Sequence, residues 1–377
     1  MDWPMGFIMG AITVFLLGSL WKSNIFRKKP PKRNRFISSR KSSRNVMTNA
    51  VELRLSMGPS IVALGGGTGL SSLLSGLKCY TRNITAVVTV TDEGGSSGRL
   101  MHDWGMLPPG DIRNCVVALA ENDNALRQIL DFRFDKGDLK GHSLGNLILL
   151  AVTEMSGDFR LGVEKMNNLL AIRGKVLPVT TESVCLHGRI SEAEVLKGEL
   201  EISRYGSEIQ ELWLEPRDAK PVKEVYRAID GADLIVLGPG SLFTSILPNI
   251  LIRDLARKLR ESPVPKVYVS NLMTQPGETD GFDILQHVKW VERCLGQKLD
   301  YLLVNNAPFS EEILANYSEQ GAKALYLDES EARKIESEGC KVIYGGFARL
   351  SEEMLLRHDG AAVSEILMKI CREMSDA

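Results

Sequence analysis

Ile61-Val62-Ala63-Leu64-Gly65-Gly66-Gly67-Thr68-Gly69-Leu70-Ser71-Ser72 is the stretch on which the reading of this chain turns. Four apolar residues run into a glycine cluster, and a helical pattern starts at Leu70. A short apolar run bounded by glycine is the pattern of a buried parallel strand. The turn after it delivers the chain into a helix N-terminus. There, free N–H groups and the positive end of the helix dipole suit a phosphate or pyrophosphate. Glycine at Gly65, Gly66, Gly67 and Gly69 removes the Cβ atoms that would hold an anion off. Gly67–Ser72 reads G-x-G-x-x-S, with a small residue where the dinucleotide fingerprint has Gly or Ala. No Lys-Ser/Thr follows, so this is not a Walker A loop. A tight turn with no ligand is the plainer alternative.

Outward from this stretch the pattern continues strand–helix–strand. Ile61–Leu64, Leu70–Leu77 and Thr85–Thr91 form a βαβ start, which predicts a right-handed crossover in a parallel sheet. Asp92 follows the second strand, where a dinucleotide fold would hold a ribose hydroxyl. It opens a second polar loop, Asp92-Glu93-Gly94-Gly95-Ser96-Ser97-Gly98-Arg99, with backbone donors, two carboxylates and an arginine. A flexible surface loop is the competing reading. In Leu107-Pro108-Pro109-Gly110-Asp111-Ile112-Arg113-Asn114, Asp111 can cap the helix running on through Cys115–Glu121. Arg113 opposes the dipole of that helix, so it needs a partner: a bound anion, or a salt bridge to Asp111 or another acid. Gly141-His142-Ser143-Leu144-Gly145-Asn146 opens the helix Leu144–Met155; His142 could meet a phosphate, do acid–base work, or be structural.

Residues 175–215 alternate in short runs (Val176–Thr180, Val184–Gly188, Leu200–Ser203, Ile209–Leu214) and predict an antiparallel β-rich insertion. The α/β rhythm then returns with a helix over Val222–Ile229 and a strand over Ala232–Leu237. Gly238-Pro239-Gly240-Ser241 turns that strand into another helix, a second anion-type site by the same argument as the first. Strands over Val267–Ser270 and Tyr301–Val304 end in Asn271-Leu272-Met273-Thr274-Gln275 and Asn305-Asn306, and Ala361–Glu373 is an amphipathic helix. Several strands thus end in small, polar loops on one edge. In open α/β sheets ligands bind outside the carboxyl ends of the strands, near the switch point.

A hydrophobic fraction of 44% over 377 residues supports a large globular core. The net charge of −1 hides an asymmetry: Lys22–Arg44 holds ten Lys/Arg and no acid. The remainder carries about −10, which argues against a nucleic-acid-binding body. The six cysteines include no C-x-x-C, so neither a disulfide framework nor a zinc site is expected. Trp3–Trp21 is an uncharged apolar run of 19 residues, about 28 Å as a helix, with Trp at both ends. Residues 1–21 are therefore expected to be a single transmembrane anchor. Residues 22–57 read as a basic linker that also touches anionic lipid. Residues 58–377 read as a cytoplasmic domain, by the positive-inside rule. A cleavable signal peptide would want a basic start and a small-residue cleavage site, and neither is present.

Six ordered motifs, G-G-G-T-G-L-S, T-V-T-D-E-G-G-S-S-G-R-L, P-P-G-D-I-R-N-C, G-H-S-L-G-N-L, G-P-G-S-L-F-T-S-I-L-P-N and N-L-M-T-Q-P-G-E-T-D-G-F, resemble the YvcK-type gluconeogenesis factors. These are relatives of CofD, the 2-phospho-L-lactate transferase of deazaflavin cofactor synthesis. The resemblance covers roughly residues 58–375. It implies a Rossmann-like, doubly wound, mainly parallel α/β fold. It also implies a cytoplasmic protein that binds UDP-sugars, notably UDP-N-acetylglucosamine, and supports cell shape and peptidoglycan homeostasis during gluconeogenic growth. The implied binding set is Gly65, Gly66, Gly67, Thr68, Gly69, Asp92, Gly94, Gly95, Ser96, Ser97, Arg113, Asn114, His142, Asn146, Gly238, Pro239, Gly240, Ser241, Asn271, Thr274 and Gln275. Tyr317 in N-Y-S-E-Q-G and Arg357 in L-R-H-D complete it. Glu93 departs from the usual second Asp and puts metal chemistry at that loop in doubt. No metal site and no certain cofactor is expected. A homodimer and cell-wall synthesis partners stay open.

Two functions compete. One is a non-catalytic UDP-sugar-binding regulator. The other is a CofD-like transferase of a phospholactyl-type group, with Asp92, Glu93, Asp111 and His142 as catalytic candidates and Mg²⁺ held by the carboxylates. A third, an NAD-dependent oxidoreductase, rests on the first glycine turn and Asp92 alone.

Overall fold

The computed structural model describes residues 50–121, 123–351 and 353–375. The expected anchor and the basic stretch Lys22–Arg44 lie outside the described residues. Among those described, no helix is long and apolar enough to cross a membrane.

The framework is a seven-stranded sheet in which every neighbouring pair is parallel. Its strands are β1 (Ile61–Gly65), β2 (Ile84–Val88), β3 (Lys175–Pro178), β7 (Leu234–Leu237), β8 (Lys266–Val269), β9 (Tyr301–Asn305) and β10 (Lys341–Gly345), in the order β10-β9-β8-β7-β1-β2-β3. β1, β7 and β8 are buried at every position; β1 and β7 are the unbroken apolar runs this requires, and β8 adds the buried Lys266 at its start. The chain winds one way from β1 through β2 to β3. It then returns to β7 on the other side of β1 and winds away through β8, β9 and β10. The seam between β1 and β7, where Ile61 lies beside Leu234, is the topological switch point. The fold is Rossmann-like α/β, as the first glycine stretch predicts.

Helix α1 (Gly67–Leu77) leaves β1 through the first glycine turn and buries Leu70, Leu73, Leu74 and Leu77. Helices α2 (Gly95–Trp104), α3 (Gly110–Leu119) and α4 (Leu144–Ser156) follow β2. The C-terminal helix α8 (Gly360–Ser375) crosses α1 at backbone contact: a Cβ on Gly76 would stand 2.0 Å from the Gly360 carbonyl oxygen.

The 175–215 reading needs two corrections. The run read as Val176–Thr180 is β3, and it pairs in parallel with β2 as the edge of the main sheet. Leu200–Ser203 is not a strand but part of helix α5 (Glu199–Tyr205). Over so short a run, alternation at Leu200 and Ile202 cannot separate a period of two from one of 3.6. Gly198, at φ +90°, and the acids Glu199 and Glu201 then set a helix start. What remains is a three-stranded antiparallel sheet, β5-β4-β6, from Val195–Lys197, Cys185–Arg189 and Glu211–Glu215.

Candidate functional site

A cleft of about 410 Å³ lies over the β1/β7 seam. Its floor is the two glycine turns: Gly66, Gly67, Thr68 and Gly69 after β1, and Gly240 and Ser241 after β7. The turns meet so closely that a Cβ on Gly69 would stand 2.5 Å from the Pro239 carbonyl oxygen. Gly67 has φ +63°, which a side chain would resist. One wall is Asn271–Pro276, after β8. The other is Tyr317, from α7 (Glu311–Glu319), with Leu356–His358, which form β12. A small apolar cluster of Leu272, Ile313 and Leu356, with Tyr317 packed on it, holds the two walls together. Gly65, Gly238 and Pro239 lie outside the lining.

Hydrogen bonds fix what these groups offer a ligand. Helix α1 starts at Gly66 with no side-chain cap, and among the described residues no protein acceptor takes the amides of Thr68 and Gly69. An anion over that helix mouth would find donors and a favourable dipole. Asn271 donates to the Gly240 carbonyl (2.9 Å) and accepts from the Tyr268 hydroxyl (3.1 Å), so it braces the floor. The Thr274 hydroxyl accepts from the Lys323 amide at 2.8 Å. The Tyr317 hydroxyl accepts from the Leu356 amide at 2.8 Å, which fixes its ring at the cleft. Arg357, half-buried, lines the same wall. Asn305 turns away, donating to the Ala307 carbonyl and accepting from the Phe347 amide.

The second glycine turn departs from expectation. Its helix start, Leu242–Ile246 running into α6 (Leu247–Leu251), already has a carboxyl group seated on it. The fully buried Glu278 carboxylate accepts from Ser241 Oγ at 2.5 and 2.6 Å and from the Phe243 amide at 2.7 Å. Burial pushes its pKa up, and the Ser241 and amide donors pull it back. The expected second anion site is therefore filled from within.

The remaining expected residues lie outside the cleft lining. Asp111 meets the first turn at the start of α1: a Cβ on Gly66 would stand 2.4 Å from its Oδ2. It accepts from the Gly67 amide, and burial, then Asp92, lifts its pKa to about 7. Asp92 accepts from the Gly94 amide at 2.8 Å. Glu199, from α5, accepts from the Glu93 amide at 2.9 Å, and burial, then Asp92, lifts its pKa to about 8. Glu93 itself points to Cys185 of β4. Ser96 joins His142 Nδ1 (3.0 Å) and accepts from Asn146 Nδ2 (3.1 Å), while Ser97 accepts from the Gly110 amide. Burial lowers the His142 pKa, then Arg99 lowers it further. Arg113 takes the duller of its two options, an ion pair with Asp131 at 2.5 Å and a bond to Asn114 at 2.7 Å.

Mg²⁺ fits these carboxylates poorly as arranged. Among the described residues no three acidic, histidine or cysteine side chains gather to hold an ion. Asp92, Asp111 and Glu199 instead spend oxygens on backbone amides.

Three residues of this region have no role in the sequence reading. Glu278 lies in the quoted motif P-G-E-T-D-G-F, but only the fold shows that it reaches Ser241. Glu199 lies 107 positions past Asp92 on a segment taken for strand. His358 follows Arg357 and lines the cleft; its Nε2 donates to the Ser270 carbonyl at 3.0 Å, and burial lowers its pKa to about 4.

Fold and cleft together define a Rossmann-like α/β protein with a candidate ligand cleft at the carboxyl edge of its sheet. The chain belongs to the CofD family, as one of its gluconeogenesis-factor group: the family model "2-phospho-L-lactate transferase CofD" matches residues 61–348. It is 42% identical to the gluconeogenesis factor of Bacillus subtilis over 317 residues, 84% of this chain and 99% of that protein. It is also 42% identical to the gluconeogenesis factor of Halalkalibacterium halodurans, over 82% of this chain and 96% of that one. A crystal structure of a UPF0052 family member from Bacillus halodurans superposes with a TM-score of 0.78 at 42% identity, covering 82% of this chain and 99% of that one.

Proposed function

We propose that this protein binds a UDP-sugar, UDP-N-acetylglucosamine first among them, and acts as a regulator of cell-wall homeostasis during gluconeogenic growth. One observation carries the reading. A cleft of about 410 Å³ joins an uncapped glycine helix mouth, an arginine and a hydrogen-bonded tyrosine, drawn from separate segments of the chain. That volume is in the range of small-ligand sites. The mouth suits the diphosphate, Arg357 adds a charge-assisted contact, and Tyr317 offers a face for the uracil. The gluconeogenesis-factor name of the relatives supports the physiological half. In this proposal the apolar run 1–21 and the basic linker anchor the domain to the cytoplasmic face of the membrane, and nucleic acid is not a partner. A homodimer and cell-wall synthesis proteins are the assemblies to look for. Calorimetric titration with UDP-N-acetylglucosamine tests the reading: no heat and no thermal shift at millimolar ligand would refute it.

A CofD-like transferase is the second reading, favoured by the family and by the raised pKa values of Asp111 and Glu199 near the diphosphate seat. Mg²⁺ belongs to this reading alone. Transfer of a phospholactyl group from a nucleotide-activated donor, in the presence of Mg²⁺, would promote it.

A further inference from the structure

Glu278 is a buried carboxylate whose partners include no lysine or arginine: it is held by Ser241 Oγ and by the Phe243 and Thr244 amides. Such a group is expensive to keep in a protein interior unless donors surround it, and here they do. Its backbone belongs to the segment after β8, and its carboxylate grips the turn after β7. It therefore ties one wall of the cleft to the floor. Asn271, on the same segment, repeats the tie through the Gly240 carbonyl. The backbone under Glu278 is itself wedged, since a Cβ on Gly206 would stand 2.8 Å from the Glu278 carbonyl oxygen.

Resting on the UDP-sugar reading, we infer that Glu278 is a positioning residue of the cleft: its carboxyl group fills the second glycine turn, holds Ser241 and the Phe243 amide in place, and leaves one diphosphate seat, over Thr68 and Gly69. A nucleotide with a single diphosphate and an uncharged sugar is then the matching ligand class. A further phosphate would meet the Glu278 carboxylate where the second turn would otherwise accept it.

The test uses the full chain and two variants. Glu278→Ala removes the atoms that acetate can replace, its methyl standing in for Cγ and its carboxylate for the rest. Without acetate, affinity for UDP-N-acetylglucosamine should fall about tenfold to a hundredfold. Acetate, against chloride at matched ionic strength, should restore both affinity and thermal stability. Glu278→Gln keeps an acceptor for the two amides and a partner for Ser241, so it should bind within about threefold of wild type and ignore acetate. Inorganic pyrophosphate separates this inference from the UDP-sugar reading. Wild type should take one per chain. The inference is overturned if the alanine variant, folded, binds like wild type or gains nothing from acetate. It is overturned too if that variant folds in neither salt, or if the glutamine variant loses affinity as severely. Failure of wild type to bind UDP-N-acetylglucosamine while the pyrophosphate and acetate responses hold would sink only the choice of ligand.

Discussion

Asp111→Asn isolates the electrostatic cost of the carboxylates at the first glycine turn. Burial, then Asp92, lifts the Asp111 pKa from 3.8 to about 7. Between those values the folded chain holds a proton that the unfolded chain has lost, so this group makes stability fall as pH rises through the window. At about 1.4 kcal/mol per pKa unit, the full cost above pH 7 is up to ~4 kcal/mol, of which ~1.6 has already accrued by about pH 5. Asparagine keeps an acceptor for the Gly67 amide and carries no charge. Relative to wild type, the variant should therefore gain about 2–3 kcal/mol between about pH 5 and about pH 8.5. Urea unfolding of both proteins at the two pH values measures it. An equal stability difference at both would refute the reasoning, because the carboxylate would then not be held neutral by its surroundings.

Other expectations follow from the same geometry. Arg357→Ala should keep the fold and weaken UDP-N-acetylglucosamine binding about tenfold to a hundredfold, read by calorimetry, since a charge-assisted contact is worth about 1.5–3 kcal/mol. Tyr317→Phe should leave the Leu356 amide without its acceptor and cost about 1–2 kcal/mol of stability in urea unfolding, with the ring still in place for the uracil. Gly69→Ala drives a Cβ against the Pro239 carbonyl, parting the two turns, so ligand binding should disappear in the titration and stability should drop by about 1–3 kcal/mol. His358, lowered from 6.5 to about 4, acts in the opposite sense to Asp111. The unfolded chain takes up its proton first as pH falls, so stability is lost between about pH 6.5 and about pH 4, and His358→Asn should flatten that acid limb.

The sheet was legible because β1, β7 and the Val267–Val269 part of β8 are apolar runs ending in glycine or small polar residues, a pattern with few other solutions. The cleft was legible for the same reason: the turns after β1, β7 and β8 converge wherever a doubly wound sheet changes direction. What could not be read was which partner each polar group takes. Glu278 and Ser241 stand 37 positions apart and look alike as a free anion seat and a free acid until the fold brings them together. Arg113 finds Asp131 because α3 and the chain before α4 pack side by side, a relation that local pattern does not encode. Leu200–Ser203 fell to helix because its alternation was too short to fix a period.

The β1/β7 seam also joins segments far apart in the chain. Ser60 and Asp233, whose hydrogen bond lies at its foot, are separated by 173 residues. Joining segments so distant costs loop entropy before any contact repays it. On the UDP-sugar reading, a nucleotide in the cleft over this seam would bind only the closed form and so would brace the protein against opening there. Proteolysis at the seam should then slow as cellular nucleotide-sugar rises, and the lifetime of the protein would itself report the supply of that metabolite.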